Sequence, residues 1–226
     1  MNKFLLLALL LPLLSFANPN IKVDEHFFNT LNEYNSRIDT GLLNAAKQGD
    51  IQARLELARV LYSSHNEKGV LRGEALLKEL AKSNKIARLH LAHQYLEGTE
   101  IVSMAEGKPK VILRNYPAAI EWFQAYLADP IRDNDALYLM AFSGMGNALI
   151  KNKHYTSAFI FYTNNVEMVK AEPNGLAAHE LATLYHEGKG TAQDLEQAYY
   201  WYDIAAQKGL NIAIMERNFL KIELGI

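Results

Sequence analysis

Residues 175–209 read GLAAHELATLYHEGKGTAQDLEQAYYWYDIAAQKG. The spacing predicts two short amphipathic helices joined by a glycine-rich turn. In the first, Leu176, Leu181, Leu184 and Tyr185 recur near helical spacing, with Ala177, Ala178 and Ala182 between them. In the second, Ala198, Trp201, Tyr202, Ala205 and Ala206 do the same. Small residues let the two helices approach closely, and the aromatics fill the wedge against the next pair. One such pair cannot bury its own apolar face, so copies of it are expected elsewhere in the chain.

Copies are present. Leu91-Ala92-His93-Gln94-Tyr95-Leu96-Glu97-Gly98 lies over Leu181-Ala182-Thr183-Leu184-Tyr185-His186-Glu187-Gly188 with five of eight positions identical. Leu57-Ala58-Arg59-Val60-Leu61-Tyr62 is a weaker third copy. Second helices recur at Ala119-Ile120-Glu121-Trp122-Phe123 and Ala158-Phe159-Ile160-Phe161-Tyr162.

Residues 175–209 resemble the Sel-1-like repeat, a longer relative of the tetratricopeptide repeat. The likeness rests on Leu181-Ala182 with Tyr185 and Gly188, on Gly188 and Gly190 followed by Asp194, and on Ala198, Trp201-Tyr202, Ala205-Ala206 and Gly209. Phe142, Met145-Gly146, Leu149, Ala158 and Tyr162, with Pro173 after them, follow the shorter tetratricopeptide pattern. The resemblance covers about residues 45–209 and is to the exported bacterial type. It implies an all-α fold, a right-handed α-solenoid of about four helix pairs with capping helices at both ends. It also implies a protein-binding module and names no partner.

The expected organisation begins with a signal peptide over residues 1–17. Lys3 precedes the apolar run Phe4–Leu14, and Ser15-Phe16-Ala17 is a small-x-small cleavage site after Ala17. That run is too short to span a bilayer. A leader (18–23), N-terminal capping helices (24–49), the repeat array (50–209) and a C-terminal capping helix (210–226) follow. Phe27, Leu31, Tyr34 and Ile38 should share one face of the first capping helix, started by Asp24 and broken at Gly41. In the last, Ile212, Met215, Phe219 and Ile222 form the apolar set. Within the array, the first repeat is expected to carry a polar turn from Ser63 to Leu71, and Tyr155–Ala171 is expected to be one helix.

Loss of Lys3 moves the formal net charge from −2 to −3. There is no basic excess for nucleic acid and no polybasic segment for an anionic membrane. The absence of cysteine excludes disulfides, thiolate metal sites, a cysteine nucleophile and a lipid-modified cysteine. Export without disulfides suits a periplasmic protein.

Candidate chemistry is sparse. His179-Glu180 would need a histidine at 183 to form a zinc-protease helix, and that residue is Thr183. His90 and His93 could share a face but lack a third ligand. Gly188-Lys189-Gly190-Thr191 lacks the earlier glycine and the strand of a phosphate loop. No metal, cofactor or catalytic group is therefore expected, and no enzyme.

In tetratricopeptide-like repeats the first helix of each pair lines a concave groove. The resemblance places Arg59, His93, Asn147 and Thr183 in one row of it, and Tyr62, Leu96, Ile150 and His186 one turn on. A polar row beside a partly apolar one suits a peptide or a helix. The step from Gly98 to Ala119 is 21 positions where that from Gly188 to Ala198 is ten. The added loop brings Ile101, Val111 and Ile112, with Lys108, Lys110 and Arg114, and is expected to form a side wall for an acidic partner. The functional expectation is a periplasmic adaptor. Two alternatives are an immunity protein neutralising a toxic secreted effector and a histidine-dependent metal-binding or catalytic protein.

Overall fold

The computed structural model describes residues 21–31, 38–64, 66–102, 109–131 and 134–226, so the signal-peptide expectation, Tyr34 and Lys108 lie outside the described residues. The described chain is helical apart from one β-hairpin. It divides into two compact units, an N-terminal one through Tyr126 and a C-terminal one from Leu127.

In the N-terminal unit, the short α1 (Glu25–Asn29) and α2 (Thr40–Lys47) precede α3 (Ile51–Tyr62), α4 (Glu67–Ala81), α5 (Lys85–Glu97) and α6 (Tyr116–Leu127). Helices α2, α3, α4 and α5 pack each on the next. In the C-terminal unit, α7 (Asp135–Lys151) packs on α8 (Tyr155–Thr163), followed by α9 (Val166–Ala171), α10 (Leu176–Glu187), α11 (Leu195–Gln207) and α12 (Asn211–Glu223). Helix α10 packs on α11, and α11 on α12. Successive helix hairpins are the architecture that the repeat pattern implies.

Local chemistry sets the helix starts. Asp24, Asp39, Asp50, Asn84, Asn134 and Asp194 each accept a hydrogen bond from the backbone N–H three residues on. Each satisfies one of the donors that a helix start leaves without a partner, worth about 1 kcal/mol.

Small residues make the pairs tight. Ala177, Ala178 and Ala182 of α10 and Ala198 and Ala205 of α11 are all fully buried. Gly146 of α7 leaves the space in which the Tyr162 hydroxyl lies; a β-carbon there would collide with it. Gly190 has φ +78° and lies against the backbone of Tyr155 and Thr156, so its turn is shaped by packing on the start of α8. Trp201 is buried.

Four expectations are corrected. Helix α4 begins at Glu67 and takes in Gly69, because Asn66 accepts hydrogen bonds from Lys68 and Gly69 N–H and starts the helix within the expected turn. Gly41 lies in the first turn of α2, which Asp39 starts. The helix expected from Tyr155 to Ala171 breaks at Asn164-Asn165. There the Thr163 hydroxyl donates to the Phe159 carbonyl and the Asn165 amide to the Phe161 carbonyl, in competition with the backbone ladder.

The fourth correction concerns the terminal helix. Helix α12 buries Ala213 and Leu220, while Ile212, Met215, Phe219 and Ile222 are 50%, 72%, 62% and 82% exposed. Its apolar set faces outward.

Candidate groove and hairpin

In the C-terminal unit, three of the expected groove residues, Asn147, Thr183 and His186, bond within the fold. The Asn147 amide donates to Glu180 Oε1 at 2.5 Å, and the Tyr162 hydroxyl donates to Glu180 Oε2. Glu180 is half-buried as a residue, yet its carboxylate reaches inward and joins α7, α8 and α10. Burial pushes its pKa up to about 7, against the opposing hydrogen bonds from Tyr162 and Asn147 and the charge of Lys151; Glu172 adds to the rise. Glu172 is itself buried, its Oε1 accepting from Asn174 N–H and its Oε2 without a partner.

Tyr202 of α11 organises the next row. The Thr183 hydroxyl shares a hydrogen bond with the Tyr202 hydroxyl at 3.1 Å and donates to the His179 carbonyl. The rings of His179 and His186 lie 5.4 Å and 6.0 Å from that of Tyr202. Burial lowers the His179 pKa, with Glu216 opposing, which favours the neutral ring. Ile150 is half-buried.

In the N-terminal unit, Arg59 is exposed and paired with Glu56 one turn back. Tyr62 and Leu96 are buried, so they belong to the core and offer nothing to a ligand. Packing of α3 on α4 and of α4 on α5 encloses them. His93 sets its ring edge-on to Phe123 at 5.0 Å, its Nε2 is buried without a partner, and burial lowers its pKa. Sequence reasoning missed Glu74, which is buried, accepts from the Tyr95 hydroxyl at 2.5 Å and pairs with Lys78 at 2.7 Å.

The lengthened loop is a two-stranded antiparallel hairpin. Strand β1 (Thr99–Val102) pairs with β2 (Pro109–Ile112), with Thr99 opposite Ile112 and Ile101 opposite Lys110. Ile101 and Ile112 are buried, contrary to their expected contact with a partner; Val111 is half-exposed. Alternation in a strand sends neighbouring side chains to opposite faces. The Arg114 guanidinium donates twice to the Glu97 carbonyl, at 3.1 and 2.9 Å, so it closes the end of α5. The Lys110 side chain lies outside the described residues.

Among the described residues no group of three His, Asp or Glu side chains is placed to hold a metal ion. The Lys189 ammonium pairs with Glu187 and lies over the Tyr155 ring at 5.3 Å, a structural use of the Gly-Lys-Gly turn. No described helix is long and apolar enough to cross a membrane.

No family model matches the chain, and no curated protein matches it. Among solved structures, a Sel1 repeat protein from Oxalobacter formigenes aligns over 93% of this chain at 17% identity, with a TM-score of 0.31. The chain spans 65% of that protein's length.

Proposed function

We propose that this protein is a non-enzymatic binding module for another protein, exported to the periplasm. The observation that carries the reading is where large apolar side chains meet solvent. Leu176, Tyr200, Ile212, Met215, Phe219, Ile222 and Ile226 are all exposed on the last three helices and the residues after them. Concentrated exposed apolar surface on a folded domain marks an interaction site. Asn147 and Thr183, expected to meet a partner, are bonded within the fold to Glu180 and Tyr202. Of the basic residues expected on the side wall, Arg114 is bonded to the Glu97 carbonyl.

The charge pattern and the Ser15-Phe16-Ala17 site support export. The test has two arms. N-terminal sequencing of the exported protein should find Asn18 first. Affinity capture from periplasmic extract, followed by mass spectrometry, should recover one protein in stoichiometric amount; recovery of none at any salt concentration sinks the binding reading.

A further inference from the structure

We infer that the outward row of α12, Met215, Phe219 and Ile222, is the docking seat for an amphipathic helix of a partner protein, and that this helix carries Lys or Arg along one edge. The inference rests on the protein-binding reading and assigns its place and its chemistry.

Helix α12 keeps the repeat's register. Ala177 and Leu184 of α10 correspond to Ala213 and Leu220 of α12, 36 positions on, and all four are buried. The same offset carries His179, Thr183 and His186 to Met215, Phe219 and Ile222. In α10 that row is met by Tyr202, a side chain of the helix that follows it. In α12 the row has become apolar and stands 62–82% exposed. The row therefore continues a helix–helix interface already made once in the unit. Leu176 and Ile212, the pair at the head of each row, are 45% and 50% exposed, so the difference begins only where Tyr202 acts in α10.

The spacing 212, 215, 219, 222 alternates steps of three and four, the seam on which another helix lies. At 3.6 residues per turn, Glu216 and Glu223 border this seam on one side, and Asn211 and Asn218 on the other. Lys221 and Arg217 lie round the helix, and Arg217 is bonded to Asp203. Neither border supplies a cation. In a second copy laid antiparallel on α12, the two carboxylate edges would face each other, and like charges there disfavour self-pairing. A basic edge on the visiting helix is complementary.

The test uses the full chain and two synthetic amphipathic peptides, one with leucines on a lysine-bordered face and one with glutamates in place of the lysines. Fluorescence anisotropy should show the leucine–lysine peptide binding, and the leucine–glutamate peptide about tenfold or more weaker. Phe219→Ser with Ile222→Ser should cost binding at least about tenfold while leaving the melting temperature unchanged, since both side chains are exposed. Glu216→Gln with Glu223→Gln should weaken binding and flatten its salt dependence. Equal binding of both peptides, or binding untouched by the serine pair, overturns the inference. Dimerisation in sedimentation equilibrium that the serine pair abolishes also overturns it, since the row would then belong to a second copy. A protein captured equally by wild type and by the serine pair leaves the binding reading standing and removes only this seat.

Discussion

Glu74 in the N-terminal unit and Glu180 in the C-terminal unit each accept from a tyrosine hydroxyl, and their other partners differ. Glu74 in the N-terminal unit accepts from Tyr95 and has Lys78 at 2.7 Å. Glu180 in the C-terminal unit accepts from Tyr162 and from the Asn147 amide, both uncharged donors. The first site holds an ion pair one helical turn long. In the second, dipoles face a carboxylate that burial pushes toward its neutral form. Burial thus leaves Glu180 able to take up a proton near neutrality, against its hydrogen bonds and the charge of Lys151.

The largest effect should come from outside both sites and act on one unit. Trp201→Ala should cost about 3–5 kcal/mol, as loss of a buried indole usually does. Hydrogen exchange should then show α10, α11 and α12 losing protection while α3 to α5 keep theirs. Loss of protection throughout the described chain would contradict the division into two units.

Next is the ion pair. Lys78→Met removes the salt bridge to the buried Glu74 carboxylate, and urea unfolding should record a loss of about 2–3 kcal/mol. The figure is set toward the low end because Lys78 is itself 37% exposed. If the variant is as stable as wild type, the contrast between the sites disappears.

A smaller effect, and a sharper one, concerns pH. The Glu180 pKa rises in the fold from 4.5 to about 7, so the folded chain holds a proton that the unfolded chain releases. This contribution to stability is complete below 4.5 and is lost as pH rises through about 7. Glu180→Gln keeps a polar partner for Tyr162 and should remove that dependence. Thermal melts across pH 5 to 8 check it: wild type should fall relative to the variant as pH rises, and parallel curves would count against a titrating Glu180.

The smallest effects are common to both units. Asp50→Ala and Asp194→Ala each remove a helix start and should each cost about 1 kcal/mol in chemical denaturation. A cost near zero at either position would mean that packing alone fixes that helix end.

Much of this organisation is legible in the chain. Helices α10 and α11 follow from the alanine, tyrosine and tryptophan spacing, and Asp194 starts α11 as its position suggests. Asn66 and Asn164-Asn165 carried signals for a helix start and a helix break, but Gly69 and the apolar periodicity around them spoke for other boundaries. The hairpin's β-branched residues, Ile101, Val102, Val111 and Ile112, have the composition of strands, yet a helical setting invites reading them as a loop. The groove was harder. Whether Asn147 or Thr183 faces a ligand depends on Glu180 and Tyr202, each supplied by another helix, and periodicity within one helix carries no record of that. For α12 the apolar stripe was visible. The buried side was marked only by Ala213 and Leu220, which the 36-residue offset from Ala177 and Leu184 would have identified.

Gly146 carries a consequence for anyone substituting residues in this chain. In the middle of α7, alanine is preferred to glycine by about 1 kcal/mol on backbone grounds. The added methyl group would occupy the place of the Tyr162 hydroxyl. The phenol would have to swing away and release the acid it holds, so a change that ordinarily firms a helix would here unfasten three.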